Sequence, residues 1–209
     1  MMFFQDRTDA GKQLAKKLNI SRPKDTIVLA LPRGGVPLAI EISKIHALSF
    51  DVVHAKKMVH PLQTEFAIGA IAEKGEPLLN KEVNIEQKWI EQEAARVREE
   101  IARRRKLYDT FLTQRSLTGK DVILVDDGIA TGMTLFAAIE TVKNQQPNKI
   151  TVAVPIIPKE TYDRLKTLVD DIAYVNIPEQ FLGAVGAYYQ QFPQISDEEI
   201  QTMIKHLDN

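Results

Sequence analysis

The chain alternates between short, continuous apolar runs and longer stretches in which apolar residues return every three or four positions. "TIVLAL" (Thr26–Leu31), "FDVVHAKK" from Phe50, "DVILV" (Asp121–Val125), "KITVAVPII" from Lys149 and "DIAYVNI" from Asp171 are of the first kind. Bounded by turn residues, they predict buried parallel strands. "DRTDAGKQLAKKL", with Ala10, Leu14 and Leu18 at helical spacing, "VPLAIEISKIHA", the segment after Met133 and "KETYDRLKTLV" are of the second kind and predict helices. From Ile85 to about Leu112 a highly charged helix carries Ile90, Ala94, Val97, Ile101 and Tyr108 on one stripe. "EFAIGAIAE" and "EPLLN" predict a shorter antiparallel pair. "SDEEIQTMIKHL" opens a last helix with a capping box between Ser196 and Glu199.

Strands alternating with helices predict the α/β class, a parallel central sheet with helices on both faces. Ligands on such sheets bind at the carboxyl ends of the strands, near a switch in strand order. "VDDGIATGMT" and "LPRGG" both follow apolar strands and are expected on the same rim. The 209 residues suit one domain, without internal repeat or low-complexity linker.

Charge narrows the ligand classes. Lys plus Arg (27) nearly cancels Asp plus Glu (28), so no global field attracts nucleic acid or a membrane, and an anionic ligand needs local cations and backbone amides. "RRRK" (Arg103–Lys106) follows alternating glutamates and reads as a solvated helix face. At 100° per residue Arg104 and Arg105 flank the apolar stripe, within reach of the active rim, while Arg103 and Lys106 point away. The absence of cysteine excludes disulfides, thiolate metal sites and a thiol nucleophile. His46, His54, His60 and His206 form no i,i+4 metal pair, and only His60 lies near the candidate chemistry. "MMFFQDRTDAG" has no basic leader region and no run approaches bilayer length, so a soluble, cytoplasmic protein is expected.

The candidate chemistry sits in "VILVDDGIATGMT" (Val122–Thr134). Gly128, Ala130, Thr131, Gly132 and Thr134 form a loop of little bulk that opens a helix, where free amides and the helix dipole favour phosphate. It has neither the Walker spacing nor G-x-G-x-x-G. Asp126 and Asp127 need another role: accepting hydrogen bonds from sugar hydroxyls, or holding a hard cation. A phosphorylated sugar satisfies amides and acids together.

The stretch resembles the phosphoribosyl pyrophosphate (PRPP) signature of the type I phosphoribosyltransferases: four apolar residues, two acids, and a short loop ending T-G-x-T. The resemblance implies that Asp126 and Asp127 bind the ribose 2- and 3-hydroxyls with the help of Mg²⁺. It also implies that Gly128, Ile129, Ala130, Thr131, Gly132, Met133 and Thr134 wrap the 5-phosphate. "LPRGG" resembles the family's pyrophosphate loop, with Arg33, Gly34 and Gly35 on the pyrophosphate. Lys57, rather than Lys56, falls where the family frequently has a basic residue facing pyrophosphate; a solvated lysine pair is the other reading. "DRTDAGKQLA", "EFAIGAIAE" and "PEQFLGAVGAYYQQFPQISDEEI" extend the resemblance to a subgroup of phosphoribosyltransferases whose acceptor is not defined. The expected organisation is one domain over 1–209. Its core covers about 20–58 and 118–178, a flap and long helix 59–117, and a C-terminal hood and helix 179–209.

Two departures bear on the reaction. Ala130 stands where the hypoxanthine-guanine enzymes carry an Asp associated with the purine N7 proton. "FLGAVGAYY" loosely resembles their purine hood, making Phe181, Tyr188 and Tyr189 base-covering candidates, with aromatic packing as the alternative; Tyr188 replaces the acid that reads the guanine edge. The expected activity is displacement of pyrophosphate from PRPP by a nitrogen nucleophile, a nucleobase first, in nucleotide metabolism. The ligands are then PRPP, pyrophosphate and an undefined acceptor, and a homo-oligomer is compatible. A non-catalytic PRPP sensor and a phosphoribosyl hydrolase are the competing expectations.

Overall fold

The structure, a computed structural model, describes residues 4–60, 63–80, 85–112 and 115–207, with the backbone alone for 63–66. The opening Met1–Phe3 and the Pro61–Leu62 part of the "MVHPLQTE" loop lie outside the described residues.

Five strands form a parallel sheet: β1 (Thr26–Ala30), β2 (Ser49–Val52), β6 (Asp121–Val125), β7 (Lys149–Ile156) and β8 (Asp171–Asn176), in the order β2-β1-β6-β7-β8. Both faces are covered, which is why the strands read as unbroken apolar runs. Side chains alternate between the faces. Val28, Ala30, Ile123 and Val125 pack with α1 (Arg7–Ala15), α2 (Gly35–His46) and α6 (Asp197–Lys205). Ile27, Leu29, Val122 and Leu124 pack with α4 (Met133–Lys143) and α5 (Lys159–Leu165). The order reverses between β1 and β6, so the loops after these strands, "LPRGG" and "DDGIATG", flank the topological switch point.

"FDVVHAKK" is not one strand. The parallel ladder ends with the Val53 amide donating to Ala30 O at 2.9 Å. The next donor on β1 would be residue 32, which is proline and has no N–H. The chain therefore leaves the sheet at His54 and enters a second, antiparallel sheet: β3 (Ala55–His60), β4 (Gln63–Ala72) and β5 (Leu78–Leu79), in that order. Lys56 and Lys57 belong to this small sheet, and the parallel core stops short of residue 58.

The small sheet is held between two helices. Met58, Ile68 and Ile71 pack against Ala94, Val97 and Ile101 of the long helix α3 (Gln87–Asp109), while Ala70 and Ala72 pack against Ala137 of α4. Helix α3 starts two residues later and ends three earlier than the periodicity predicts. Its arginines go where the stripe argument leaves room, but neither hangs free over the rim. Arg105 donates to Val52 O at 2.7 Å and pairs with Asp51 and Asp109, tying α3 to the junction between the sheets. Arg104 Nε lies 3.2 Å from Asp197 Oδ1, an oxygen that also accepts from Tyr108 Oη at 2.6 Å, joining α3 to α6. The capping box is present: Ser196 Oγ accepts from the Glu199 amide, and Glu199 accepts from the Ser196 amide. No helix among the described residues is long and apolar enough to cross a membrane.

Glu93 sits on the buried face of α3, only 3% exposed. The β3–β4 register shifts between Met58 and Val59, and Glu93 accepts the Val59 amide at 3.2 Å. Arg96 donates to the same carboxylate at 2.7 and 2.8 Å and holds its pKa below the usual 4.5, against the opposing effect of burial. A depressed carboxyl contributes stability above its unfolded pKa and loses it as pH falls through the folded value. Glu93→Ala should therefore cost about 1–3 kcal/mol at pH 7, mainly by leaving the Val59 amide unpaired. Thermal unfolding against pH checks this: the gap to wild type should narrow in acid, and a gap that widens there contradicts the assignment.

Candidate active site at the switch point

Two loops meet where β1 and β6 end. After β1 the chain turns at once into α2, with a cis peptide bond between Pro32 and Arg33. After β6 it passes through Asp126 and Asp127 into α4. The approach is too close for side chains on the first loop. A Cβ on Gly34 would stand 2.0 Å from Asp127 Oδ2, and one on Gly35 would stand 2.4 Å from Val125 O. At Gly35, where the neighbour is backbone, glycine is thus a steric requirement, and at Gly34 a side chain would displace the Asp127 carboxylate.

The loop 128–134 lines a cavity of about 200 Å³ together with Asp126, Lys57 and Val185. Ile129 is an anchor: its side chain is buried and its amide donates to Ile156 O at 3.0 Å. Ala130 and Thr131 are exposed, and Ala130 O accepts from Thr161 Oγ1 at 3.1 Å. Gly132 caps α4, so Met133, Thr134 and Leu135 present first-turn amides at the cavity. Lys57 is exposed and faces the cavity from β3, whereas its neighbour Lys56 pairs with Glu100. The alternation of the strand separates the two: Lys56 turns toward α3 and Lys57 toward α4. A hollow of about 310 Å³ also exists, but it lies by Ser49 at the amino end of β2, away from this rim.

The two acids have different surroundings. Asp126 Oδ1 accepts the Asp127 amide at 2.9 Å. Burial, and then the neighbouring Asp127, push the Asp126 carboxyl well above the usual carboxylate range. Burial also raises Asp127, but the Arg7 guanidinium opposes it. Arg7 comes from the first turn of α1, and its Nε donates to Asp127 Oδ2 at 2.8 Å. Nothing in the local pattern around Arg7 announces this contact, since 120 residues separate the partners. Tyr189 Oη donates to Asp127 O at 2.6 Å.

The aromatic candidates fall mostly in the core. Tyr188 and Tyr189 are 1% and 4% exposed. Tyr188 Oη accepts from the Leu182 amide at 2.9 Å, and Tyr189 packs between Phe4 and Phe192. Neither tyrosine presents a ring face to the cavity; they are the packing under the "FLGAVGAYY" segment. Phe181 is half-buried, its ring stacked on Tyr188 at 5.6 Å between centroids. His54 is buried, stacked on Tyr108, and its pKa is pushed down to about 3 by burial and by Arg105 and Arg104, so it stays neutral.

No group of three or more His, Cys, Asp or Glu among the described residues could enclose a metal ion. The donor set fits Mg²⁺ only in the manner of nucleotide sites, with one or two carboxylates completed by ligand oxygens and water.

A family model described as the phosphoribosyl transferase domain matches residues 4–191, nearly the whole chain. The chain belongs to the phosphoribosyl transferase family. Two curated proteins from strains of Mycobacterium tuberculosis, whose names give them provisionally as phosphoribosyl transferases, are 37% identical over 204 residues, 96% of this chain. The chain spans 46% of the length of those relatives. The crystal structure of TT1426 from Thermus thermophilus is 36% identical, with a TM-score of 0.83 over 99% of both chains. A purine phosphoribosyltransferase from Pyrococcus horikoshii, at 21% identity and a TM-score of 0.50, shares the fold over 91% of this chain and 93% of its own. The chain has the type I fold of that family.

The glycine contacts give a direct check. Gly35→Ala should cost roughly 1–3 kcal/mol, because the intruded atom is a backbone carbonyl that cannot swing away. In a chain of this size that is a fall in the unfolding midpoint of about 2–4 °C per kcal/mol. An unchanged midpoint in differential scanning calorimetry would show that the loops do not meet this closely.

Proposed function

We propose that the site transfers the 5-phosphoribosyl group of PRPP to a nitrogen nucleophile, a nucleobase first among candidates, with release of pyrophosphate. The observation that carries this reading is the meeting of an anion cradle and a carboxylate at one cavity, with Asp126 beneath the loop 128–134 and Lys57 on the wall. The amides of Met133 and Thr134, with the hydroxyls of Thr131 and Thr134, would take the 5-phosphate. Carboxylate at the Asp126–Asp127 pair would accept the ribose hydroxyls. Arg33, the Gly34–Gly35 backbone and Lys57 would hold the pyrophosphate.

In the reaction the bond from the anomeric carbon to the pyrophosphate oxygen breaks and a carbon–nitrogen bond forms, with oxocarbenium character between. The protein's part is to fix the ribose, draw the departing charge toward Arg33 and Lys57, and keep water from the cation. Mg²⁺, held by an Asp126 or Asp127 oxygen and by ligand oxygens, would supply charge neutralisation of the pyrophosphate. Exposed Ala130 supplies no proton acceptor for a purine N7, which disfavours 6-oxopurine chemistry by that route. The same observation favours, as a second reading, a PRPP-binding regulator without turnover.

Pyrophosphate release from PRPP and Mg²⁺, scanned over purines, pyrimidines and small amines, distinguishes these readings. Release that requires one acceptor is the expected result and names the substrate. Release without acceptor would mean hydrolysis, and binding without release would mean a sensor. Arg33→Ala should weaken pyrophosphate by about tenfold or more, as for loss of a charged hydrogen bond, and ribose 5-phosphate much less. Equal losses for both ligands in calorimetric titrations would remove Arg33 from the pyrophosphate.

A further inference from the structure

The family resemblance gives the two adjacent acids equivalent roles on the ribose. Their surroundings differ. Asp126 lines the cavity beneath the phosphate loop. The Asp127 carboxylate instead meets Arg7, and the two side chains are 15% and 11% exposed. Arg7 has little freedom to leave. Its Nη1 donates to Pro193 O at 2.8 Å, and its guanidinium lies 3.7 Å above the Phe192 ring centroid. A charge-assisted bond to a stacked and largely covered guanidinium takes up the Asp127 charge before any ligand arrives.

Asp127 is also where several segments converge. Its Oδ2 borders Gly34 of the "PRGG" loop, so closely that a Cβ there would fall at 2.0 Å. Its carbonyl takes the Tyr189 hydroxyl. Helix α1, the loop after β1, the loop after β6 and the "YYQQFP" segment thus meet on one residue. Removing its charge or its arginine should displace the loop that borders it, at some distance from the cavity where Asp126 stands.

We infer that the pair divides its labour: Asp126 receives the sugar hydroxyls, and Asp127, clamped by Arg7, is a positioning residue that sets the "PRGG" loop for pyrophosphate. This rests on the phosphoribosyl reading given above and departs from it in taking Asp127 off the ribose. Arg7, whose partner the local sequence does not show, becomes part of the site through Asp127.

The test compares ribose 5-phosphate with 2-deoxyribose and 3-deoxyribose 5-phosphates, and separately pyrophosphate with Mg²⁺, by equilibrium titration of the full chain. Wild type should prefer the sugar bearing both hydroxyls. Asp126→Asn should lose that preference while still binding the 5-phosphate. Asp127→Asn and Arg7→Gln should keep the preference to within about twofold and weaken pyrophosphate by about tenfold, the scale of one charged hydrogen bond. The double variant Arg7→Gln, Asp127→Asn should lose little more than either single one, since both remove the same contact. Arg7→Lys, which retains a charge, should recover part of the pyrophosphate affinity. A purely structural role would lower both ligands alike and would show no such split.

Loss of the hydroxyl preference in Asp127→Asn, or in Arg7→Gln if the former does not fold, overturns the division of labour and leaves the phosphoribosyl reading standing. Retention of the preference in Asp126→Asn does the same. Wild type that binds neither sugar phosphates nor pyrophosphate would instead defeat the phosphoribosyl reading, and the inference with it.

Discussion

Two neighbouring parallel strands end side by side, and the loops that leave them turn toward opposite faces of the sheet. That places "PRGG" against "DDG" with no space between: Gly34 borders the Asp127 carboxylate and Gly35 lies on the Val125 carbonyl. The contact is possible only where side chains are absent on one side and short on the other. It sets the "PRGG" turn beside the loop that leads into the amide-rich start of α4. The remaining elements either press the two loops together or supply walls around them.

Electrostatics follow from the same contact. Closing the loops buries two adjacent carboxylates, and burial drives both pKa values upward. The chain relieves one of them with Arg7, delivered from α1 and held over Phe192. The other remains at the cavity, beneath a helix N-terminus whose dipole tolerates negative charge. The small sheet completes the wall. It begins just after the ladder to β2 ends opposite Pro32, and Glu93 ties it to α3 by taking the Val59 amide. Lys57 consequently faces the cavity from an element that is not part of the parallel sheet.

Sequence pattern reaches the elements whose periodicity is set by burial on both faces. β1 and β6 are legible as unbroken apolar runs, α4 as the helix after a small-residue loop, and the start of α6 through the Ser196–Glu199 box. The two strand-end loops were legible as well, because glycine and acid types there answer to local chemistry. What escapes is set by tertiary contact. "FDVVHAKK" looks like one strand because nothing within it signals that its partner has run out of donors. Glu93 goes unremarked beside the apolar stripe, because its role depends on the Val59 amide of another element. Arg7 lies in "DRTDAGKQLA", a segment that extends the family resemblance, but nothing there shows its partner, 120 residues away. Tyr188 and Tyr189 have the composition of a ring-stacking surface, but their hydroxyls are spent inside, one on the Leu182 amide and one on the Asp127 carbonyl.

The most direct measurement is the position of the ligand in a crystal structure of the protein with PRPP and Mg²⁺. The 5-phosphate should lie over the first turn of α4, with the ribose hydroxyls at Asp126 and the pyrophosphate toward Arg33 and Lys57. A cradle that stays empty at saturating PRPP, or a ligand seated on another surface, would contradict the assignment of this rim as the phosphoribosyl site.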